Sequence, residues 1–229
     1  MEQYINKITH ADCMDILKQL PDQCIDLVLT DFPYNEVNRP SNGLRNLNMG
    51  CADELAIDLP VLLAEIIRVC KGSFYAFCGT EQVSQTRKAL VDAGFSTRLL
   101  IWEKTNPSPM NGQHIWLSGI ECCVYGKTKN GVFNENCKNT VLRYPLCADP
   151  ARFHATQKPL SLFSYLVSVS SNKGDLVLDP FSGSGTTAVA CHRLQRRFIC
   201  IEKDPFYFNK SQERLRAEQS QGQLFTEDL

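Results

Sequence analysis

A glycine-rich run between residues 176 and 187 has the residue types and spacing of a small-molecule pocket. The apolar residues 176–178 precede Asp179, and Gly183 and Gly185 follow shortly after it. Because glycine has no Cβ, the backbone there can turn tightly and approach a ligand closely. A helix predicted over Thr186 to Leu194 would point its free N–H groups back toward that ligand. We therefore predict a pocket at the carboxyl end of a short strand.

Two classes of ligand fit this pocket. Gly183, Gly185 and Ala188 match a dinucleotide-binding fingerprint, and Glu202 follows at about the 20-residue distance at which an acid holds ribose hydroxyls. Asp179 favours another ligand, because a pyrophosphate would meet an uncompensated negative charge there. A carboxylate suits a cationic group, such as the ammonium of S-adenosylmethionine. S-adenosylmethionine is thus the predicted cofactor, with a nicotinamide-type dinucleotide as the alternative.

A second run of residues that could take part in a reaction, residues 31–34, follows a predicted buried strand over residues 25–30. Asp31 offers a carboxylate, Phe32 and Pro33 form a turn with exposed backbone carbonyls, and Tyr34 offers an aromatic ring. These groups suit a planar nitrogen heterocycle whose amino group is hydrogen-bonded and whose ring is stacked. Since both loops leave the carboxyl ends of strands, we expect them to meet in one crevice.

The elements that must position these loops alternate between strand and helix. This order predicts an α/β fold, a doubly wound and mostly parallel sheet with helices on both faces. Residues 1–229 are interpreted as a single domain. The alternation breaks after Glu103, and residues 127–153 are predicted to be a small insertion. The Asn- and Gly-rich residues 36–50 are predicted to be a mobile loop near the active site. The predicted strands are 4–8, 25–30, 74–78, 97–102, 121–126, 176–178 and 198–201, and the predicted helices are 13–20, 59–70, 82–93, 160–170, 186–194 and 205–218.

Composition narrows the class of protein. A chain of 229 residues with 43% hydrophobic residues fits one globular α/β domain. Its net charge of −1 does not indicate a nucleic-acid binder, but residues 127–158 carry six basic and two acidic side chains. No apolar run is long enough to span a bilayer, and no signal peptide opens the chain, so a cytoplasmic protein is expected.

The eleven cysteines do not predict a disulfide framework or a zinc site. Their number is odd, and Cys70, Cys78, Cys191 and Cys200 lie inside apolar runs, which predicts core thiols in a reducing compartment. No C-x-x-C pair occurs among residues 122–147, which argues against a metal.

The two loops together resemble those of the amino-group DNA methyltransferases, in the permuted order in which the catalytic motif precedes the cofactor motif. The family's catalytic signature, Asp/Asn/Ser-Pro-Pro-Tyr/Phe, corresponds to residues 31–34, and its cofactor signature corresponds to residues 179–187. Weaker matches occur at residues 11–13, 154–159 and 201–204. The resemblance covers residues 4–215 in the family's order.

The resemblance implies a fold similar to the S-adenosylmethionine-dependent methyltransferases and a set of cofactor contacts. Glu202 would bind the ribose hydroxyls, Asp12 the adenine edge, and Thr156 with Lys158 the carboxylate end. The implied cofactor-binding residues are Asp12, Cys13, Thr156, Lys158, Asp179, Phe181, Ser182, Gly183, Ser184, Gly185, Thr186 and Glu202.

It also implies a catalytic mechanism. Asp31 and the backbone carbonyl of Phe32 would accept hydrogen bonds from an exocyclic amine, while Pro33 shapes the turn and Tyr34 stacks on the base. The amine would attack the methyl group directly, and the target base would be flipped out of the duplex. Phe32 departs from the family, which has proline there. Only its carbonyl is required, so we expect activity to survive with a less rigid turn.

The resemblance leaves the substrate partly open. An Asp-headed motif favours the N6 of adenine, and cytosine N4 is the alternative. Cytosine C5 is disfavoured because no Pro-Cys dipeptide is present. RNA or a protein amide is a further alternative, and a nucleotide-binding domain without methyl transfer is an alternative of another class.

DNA is the implied partner, and a prokaryotic or phage restriction–modification setting the implied context. Because the insertion is small, sequence reading is expected to be short, or shared with residues 36–50 or with a second subunit in a homodimer. The candidate DNA contacts are Asn35, Asn38, Arg39, Lys138 and Arg143.

Overall fold

The computed structural model describes residues 1–33, 57–107, 114, 116–146, 153 and 157–224. The expectations for Tyr34, Asn35, Asn38, Arg39, Thr156 and the loop 36–50 therefore lie outside the described residues. The described strands are β1 (Lys7–His10), β2 (Ile25–Asp31), β3 (Cys70–Cys78), β4 (Ser96–Lys104), β5 (Ile120–Lys127), β6 (Val141–Tyr144), β7 (Leu176–Asp179) and β8 (Arg197–Glu202). The described helices are α1 (Cys13–Leu17), α2 (Leu59–Val69), α3 (Val83–Asp92), α4 (Leu160–Ser170), α5 (Thr186–Arg193) and α6 (Pro205–Leu224).

The strands form one sheet in the order β1-β8-β7-β2-β3-β5-β4-β6. Its neighbouring strands are parallel except where β5 pairs antiparallel with β3 on one side and with β4 on the other. The mostly parallel, doubly wound fold predicted from the alternation of elements is thus confirmed.

Two apolar layers cover the faces of this sheet. Residues from α1, α2 and α3 pack on one face, and residues from α4, α5 and α6 pack on the other. Successive strand residues contribute to opposite layers, as Leu27 and Val28 do, because side chains alternate across a strand. The chain leaves β2 toward β3 and leaves β7 toward β8, in opposite directions along the sheet. The boundary between β2 and β7 is therefore the switch point where α/β sheets bind ligands.

The structure differs from the prediction at both ends of the sheet. The predicted first strand over residues 4–8 begins later, because a 3-10 turn over Glu2–Tyr4 and a positive φ of 59° at Asn6 precede β1.

β3, inside the sheet, begins directly after α2, earlier than predicted. A Cβ at Gly72 would lie 2.0 Å from the backbone oxygen of Asp26, so a glycine lets this strand start closely against β2. The edge strand β6 lies inside the region that had no clear period.

The four cysteines predicted to be core thiols are buried, which confirms that expectation. Among the described residues, no helix combines the length and the apolar character needed to cross a bilayer. The same part of the chain contains no group of three or more His, Cys, Asp or Glu side chains arranged to hold a metal ion.

Candidate active site

Two acidic residues end the strands that flank the switch point. Asp31 is the last residue of β2, and Asp179 is the last residue of β7. The two strands are parallel neighbours, with Val28 opposite Leu178. Both carboxylates therefore lie at the carboxyl edge of the sheet, close enough that Asp31 contributes to raising the pKa of Asp179. The structure thus brings together the two loops that the sequence separates by about two thirds of its length.

The turn after β2 is fixed by contacts with the end of β3. The Phe32 N–H donates to the Phe77 carbonyl at 2.9 Å, which continues the sheet pairing past Asp31. The Gln82 side chain donates from Nε2 to the Pro33 carbonyl at 3.1 Å, and its Oε1 accepts from the Gly79 N–H at 3.0 Å. Gln82 was not singled out from the sequence, because its role depends on β3 lying next to β2.

The Phe32 side chain joins this turn to the glycine loop. It is 1% exposed and packs edge-to-face on Phe181, with ring centroids 6.0 Å apart and planes at 89°. Aromatic pairs in this geometry stabilise a contact by about 1 kcal/mol beyond the area that they bury. The residue that replaces the family's proline thus contacts the loop after β7 directly.

A chain of ion pairs, with the buried Lys158 near its centre, leads away from Asp31. Lys158 Nζ lies 2.6 Å from Asp31 Oδ2 and 2.9 Å from Glu121 Oε2, and Glu121 Oε1 lies 3.0 Å from Lys104 Nζ. The Lys158 side chain is only 4% exposed. Burial alone would raise the pKa of Glu121, but the two lysines outweigh burial and lower that pKa. Glu121 was missed by the sequence reasoning, since nothing in the local pattern of β5 marks it.

The loop after β7 adopts the tight turn that its glycines predict. Gly183 has a φ of 50° and Gly185 a φ of 74°, in the left-handed region that favours glycine. A Cβ at Gly185 would lie 3.0 Å from Ser211 Cβ and 3.2 Å from the Ile8 side chain. The turn therefore fits closely against α6 and β1. Ser182 and Ser184 are also buried in this loop, and Thr186 begins α5.

Asp179 organises the start of this loop. Its carboxylate accepts hydrogen bonds from the Thr187 hydroxyl and from the Phe181 N–H, the latter at 3.2 Å. Burial raises the pKa of Asp179 to about 7, because a charge loses water there without gaining an ion-pair partner. Such a carboxylate stabilises a cationic ligand group well, since a bound cation would offset the cost of ionisation.

Glu202, at the end of β8, closes the other side of the loop. Its Oε2 accepts from the Gly183 N–H at 2.7 Å, and its Oε1 accepts from the Asp204 N–H at 2.8 Å. Burial raises the pKa of Glu202. The acid predicted to bind ribose is therefore placed beside the glycine turn.

Asp12 and Cys13 start α1 at the same edge of the sheet. Asp12 caps the helix by accepting from the Met14 N–H at 3.0 Å, and its second oxygen lies 2.9 Å from Lys203 Nζ. Cys13 is buried, and this burial raises the pKa of its thiol to about 12, so the thiol stays protonated.

Arg214, on α6, donates hydrogen bonds to the glycine loop and to the first residue of α5. Its Nη1 donates to the Ser184 carbonyl at 3.0 Å and to Thr186 Oγ1 at 3.0 Å. No short-range pattern indicates this contact, because Arg214 lies 30 residues after Ser184 and reaches it through the packing of α6 against α5 and β1.

The residues of the predicted insertion lie partly at the amino ends of the parallel strands and partly toward their carboxyl ends. The Thr128 hydroxyl donates to the Lys71 carbonyl at the start of β3, and the Asn134 side chain donates to the Ser168 and Ser171 carbonyls at the end of α4. These contacts place residues 128–134 at the amino edge, away from Asp31. Asn134 therefore caps the carboxyl end of α4.

The two basic residues predicted to contact DNA are both described. Lys138 lies 3.1 Å from Glu135, and Arg143, on β6, lies 3.1 Å from Glu103. Because β6 runs parallel to β4 with Arg143 opposite Glu103, Arg143 extends toward the carboxyl edge. Its side chain is 65% exposed.

The site fits the cofactor implied by the resemblance. A buried carboxylate with a raised pKa, a turn of positive-φ glycines and a second carboxylate beside that turn offer a place for a cationic amino-acid group and for hydroxyls. The second acidic turn, at Asp31, lies across the switch point and offers an acceptor for an amine.

Comparisons with known proteins agree with this geometry. Residues 103–213 match a family model described as DNA methylase, of the N6/N4 type. The type II methyltransferase M.HinfI of Haemophilus influenzae is 29% identical over 94% of this chain and 70% of its own length. M2.DpnII of Streptococcus pneumoniae is 24% identical over 94% of this chain and 92% of its own length.

A solved structure shows the same similarity at the level of the fold. The M1.HpyAVI structure is 30% identical, with a TM-score of 0.65 over 91% of this chain and 98% of that one. Its complex with SAM aligns with a TM-score of 0.69 at 29% identity, over the same shares of both chains.

Proposed function

The chain belongs to the N6/N4 amino-group DNA methyltransferases, which use S-adenosylmethionine, and we propose that within this family it methylates the exocyclic N6 of adenine. The observation that carries the proposal is the placement of Asp31 across the switch point from the glycine loop. An aspartate at the head of the catalytic turn favours adenine, as set out above. The alternative of a dinucleotide-binding domain is set aside by membership of the family.

Asp31 and Phe32 orient the amine of the target base. The Asp31 carboxylate and the Phe32 carbonyl accept one hydrogen bond each, which draws the nitrogen away from planarity and directs its lone pair. Asp31 is also the acceptor to which the methylated nitrogen can release a proton. Tyr34, which follows this turn, stacks on the base. Because the reaction is a direct transfer, these residues act mainly by positioning and electrostatics.

The residues of the second half-site hold the cofactor, which supplies an electrophilic methyl group on sulfur. Asp179 binds the ammonium, and Glu202 binds the ribose hydroxyls next to the Gly183 turn. Asp12 binds the adenine edge, after its carboxylate exchanges part of its contact with Lys203. The remaining cofactor contacts come from Cys13, Thr156, Phe181, Ser182, Ser184, Gly185 and Thr186.

DNA binds at the carboxyl edge of the sheet. Arg143 extends in that direction, and Trp116, which precedes β5 at the same edge, is fully exposed. An exposed indole and a guanidinium suit contacts with bases and phosphates. Asn35, Asn38, Arg39 and Lys138 are the other proposed contacts. Reaching a paired adenine requires base flipping, at a cost of roughly a few kcal/mol.

The proposal is tested by identifying the methylated base. The purified protein is incubated with duplex DNA and tritiated S-adenosylmethionine, and the DNA is digested to nucleosides that are separated by chromatography. We expect label in N6-methyladenine. Label in N4-methylcytosine would show that the base assignment is wrong, and label in RNA or protein alone would show that the substrate class is wrong.

Two variants complete this test. Asp31→Ala should abolish transfer while the dissociation constant for S-adenosylmethionine stays within about threefold of the wild-type value, since Asp31 lies outside the proposed cofactor contacts. Asp92→Ala is the matched control, because Asp92 is an exposed acid on α3 that pairs only with Lys88 among the described contacts. It should leave the transfer rate unchanged.

A further inference from the structure

Lys158 lies between two acids at the base of the catalytic turn, and its contacts point to a role in orienting Asp31. Its Nζ is 2.6 Å from Asp31 Oδ2 and 2.9 Å from Glu121 Oε2, and its side chain is 4% exposed. We propose that Lys158 is a positioning residue that holds the Asp31 carboxylate ionised and oriented toward the target amine, and that Glu121 holds Lys158 in turn. This inference rests on the proposed role of Asp31 as the acceptor of that amine.

The geometry of Lys158 favours this role over a contact with the cofactor carboxylate. Its ammonium donates to Asp31, forms an ion pair with Glu121, and lies 5.6 Å from the centre of the Phe77 ring, within the range of a cation–π contact. Its backbone carbonyl accepts from Thr186 Oγ1 at 3.4 Å. Lys158 is therefore held by residues of β2, β3, β5 and α5. A swing toward a cofactor carboxylate would break the ion pair with Asp31 and leave Glu121 paired with Lys104 alone among the contacts described.

The charges of these three residues explain why the second acid is needed. The target nitrogen becomes cationic as it gains a methyl group, so the site must keep a net negative charge near it. Lys158 alone would cancel the charge of Asp31. Glu121 offsets the charge of Lys158, so that Asp31 retains its negative charge; Lys104, which pairs with the other oxygen of Glu121, brings the four groups to a net charge of zero but contacts Glu121 and not Asp31. A carboxylate accepts up to about four hydrogen bonds, so an ammonium on Oδ2 is compatible with a further donor to the same carboxylate.

Removing Lys158 should change the pH dependence of methyl transfer. Among the described residues, the titratable or charged groups around Asp31 include Lys158, Asp179, Cys78 and Cys123, with Glu121 beyond Lys158 and Lys104 beyond Glu121. Burial raises the pKa of both thiols, so they are neutral at ordinary pH. Lys158 is in direct contact with Asp31, so its positive charge favours the ionised form of that carboxylate. Its removal should make Asp31 take up a proton at higher pH.

The experiment compares Lys158→Met, Lys158→Arg and Glu121→Gln with the wild type. Calorimetry measures the binding of S-adenosylmethionine. Single-turnover methyl transfer is measured at saturating cofactor and DNA over a pH window of about 3.5 units, from pH 5.5 to 9. Lys88→Met is the matched control, because Lys88 is an exposed lysine in an ion pair with Asp92.

For Lys158→Met we expect the transfer rate to be at least about 100-fold lower and the cofactor affinity to stay within about threefold of wild type. The acid limb of the profile of transfer rate against pH should move to a higher pH by about one unit. Lys158→Arg should recover at least about tenfold of the lost rate, since it keeps the charge. Glu121→Gln should lower the rate by about tenfold. Lys88→Met should match the wild type in all measurements.

Two results would overturn the proposal. If Lys158→Met weakens cofactor binding by more than about tenfold and regains its rate at saturating cofactor, then Lys158 binds the cofactor carboxylate, as the resemblance implies. If the rate falls but the acid limb does not move and arginine does not restore activity, then Lys158 has only a structural role.

A readout that does not depend on activity separates this proposal from the proposed function. Carbon-13 labelling of aspartate allows the Asp31 carboxyl resonance, assigned with Asp31→Asn, to be followed by NMR against pH. We expect its titration midpoint to be higher in Lys158→Met than in the wild type, and an unchanged midpoint would contradict the proposal. If the wild type methylates cytosine N4 or no DNA at all, the proposed function fails while this midpoint still decides the role of Lys158.

Discussion

Phe32 and Phe181 pack edge-to-face across the switch point, with ring centroids 6.0 Å apart. One ring belongs to the catalytic turn and the other to the glycine loop, so a direct apolar contact joins the two halves of the site. The sequence indicated only that Phe32 replaces a proline and that the turn loses a fixed φ. The structure adds that the Phe32 side chain is buried and that the backbone N–H of Phe32 donates to the Phe77 carbonyl.

Restoring the proline of the family at this position should therefore harm the protein. Phe32→Pro removes a buried ring and the N–H donor to Phe77, and we expect the free energy of unfolding to fall by about 3 kcal/mol or more. Urea denaturation followed by circular dichroism measures this change. Phe206→Ala is the control, because Phe206 is 55% exposed, and it should cost less than about 1 kcal/mol. Equal losses in the two variants would contradict the structural role of Phe32.

Gly185 should tolerate no side chain, for two separable reasons. Its φ of 74° strains any other residue, and an added Cβ would meet Ser211 at 3.0 Å. Gly94 has a φ of 84° but open space around it, so Gly94→Ala isolates the backbone strain, which is about 1–2 kcal/mol. We expect Gly185→Ala to lose more stability than Gly94→Ala in thermal unfolding, and to bind S-adenosylmethionine at least about tenfold more weakly. Normal cofactor affinity in Gly185→Ala would argue against a pocket at this turn.

The stability of the ligand-free protein should depend on the ionisation of Asp179. Burial raises the pKa of Asp179 from 3.8 to about 7, so the folded chain binds this proton more tightly than the unfolded chain does. The resulting stabilisation is fully present below about pH 4, is lost as the pH rises to about 7, and changes little above that. We expect a loss of a few kcal/mol from this group across that window, measured by urea denaturation as a function of pH. Asp179→Asn should remove this contribution, whereas Asp92→Asn should keep it.

The same carboxylate should make cofactor binding depend on pH. If Asp179 binds the ammonium of S-adenosylmethionine in its ionised form, the affinity rises as the pH increases from 6 to about 7 and then levels off. Calorimetric titrations at several pH values measure this trend. A flat profile in the wild type, or the same slope in Asp179→Asn, would show that Asp179 does not bind the ammonium.

Arg214 should support the cofactor pocket without touching the cofactor. It donates to the Ser184 carbonyl and to the Thr186 hydroxyl, so Arg214→Met should loosen the glycine loop and weaken cofactor binding by about three- to tenfold. Arg216→Met is the control, since Arg216 is exposed on the same helix. Equal affinity in the two variants would exclude a supporting role for Arg214.

The sequence predicted the parts of the site that depend on local patterns. A short apolar strand followed by an acid and a tight turn indicated both Asp31 and Asp179, and the alternation of elements indicated that the two turns share an edge. Glu121 and Arg214 could not be found in this way, because each reaches the site only through long-range packing. Lys158 was singled out, but its ion pair with Glu121 depends on the position of β5, whose antiparallel insertion between β3 and β4 no local pattern specifies.

The pairing of β1 with β8 joins strands from opposite ends of the sequence, with His10 opposite Glu202. During synthesis on a ribosome, β1 must wait until residues 11–202 have emerged before its partner β8 exists. A nascent chain that ends before residue 202 therefore lacks Glu202 and its place beside the glycine turn. Cofactor capture should therefore follow the synthesis of β8, and translation products that end before Glu202 should be unable to compete for the cellular supply of methyl donor.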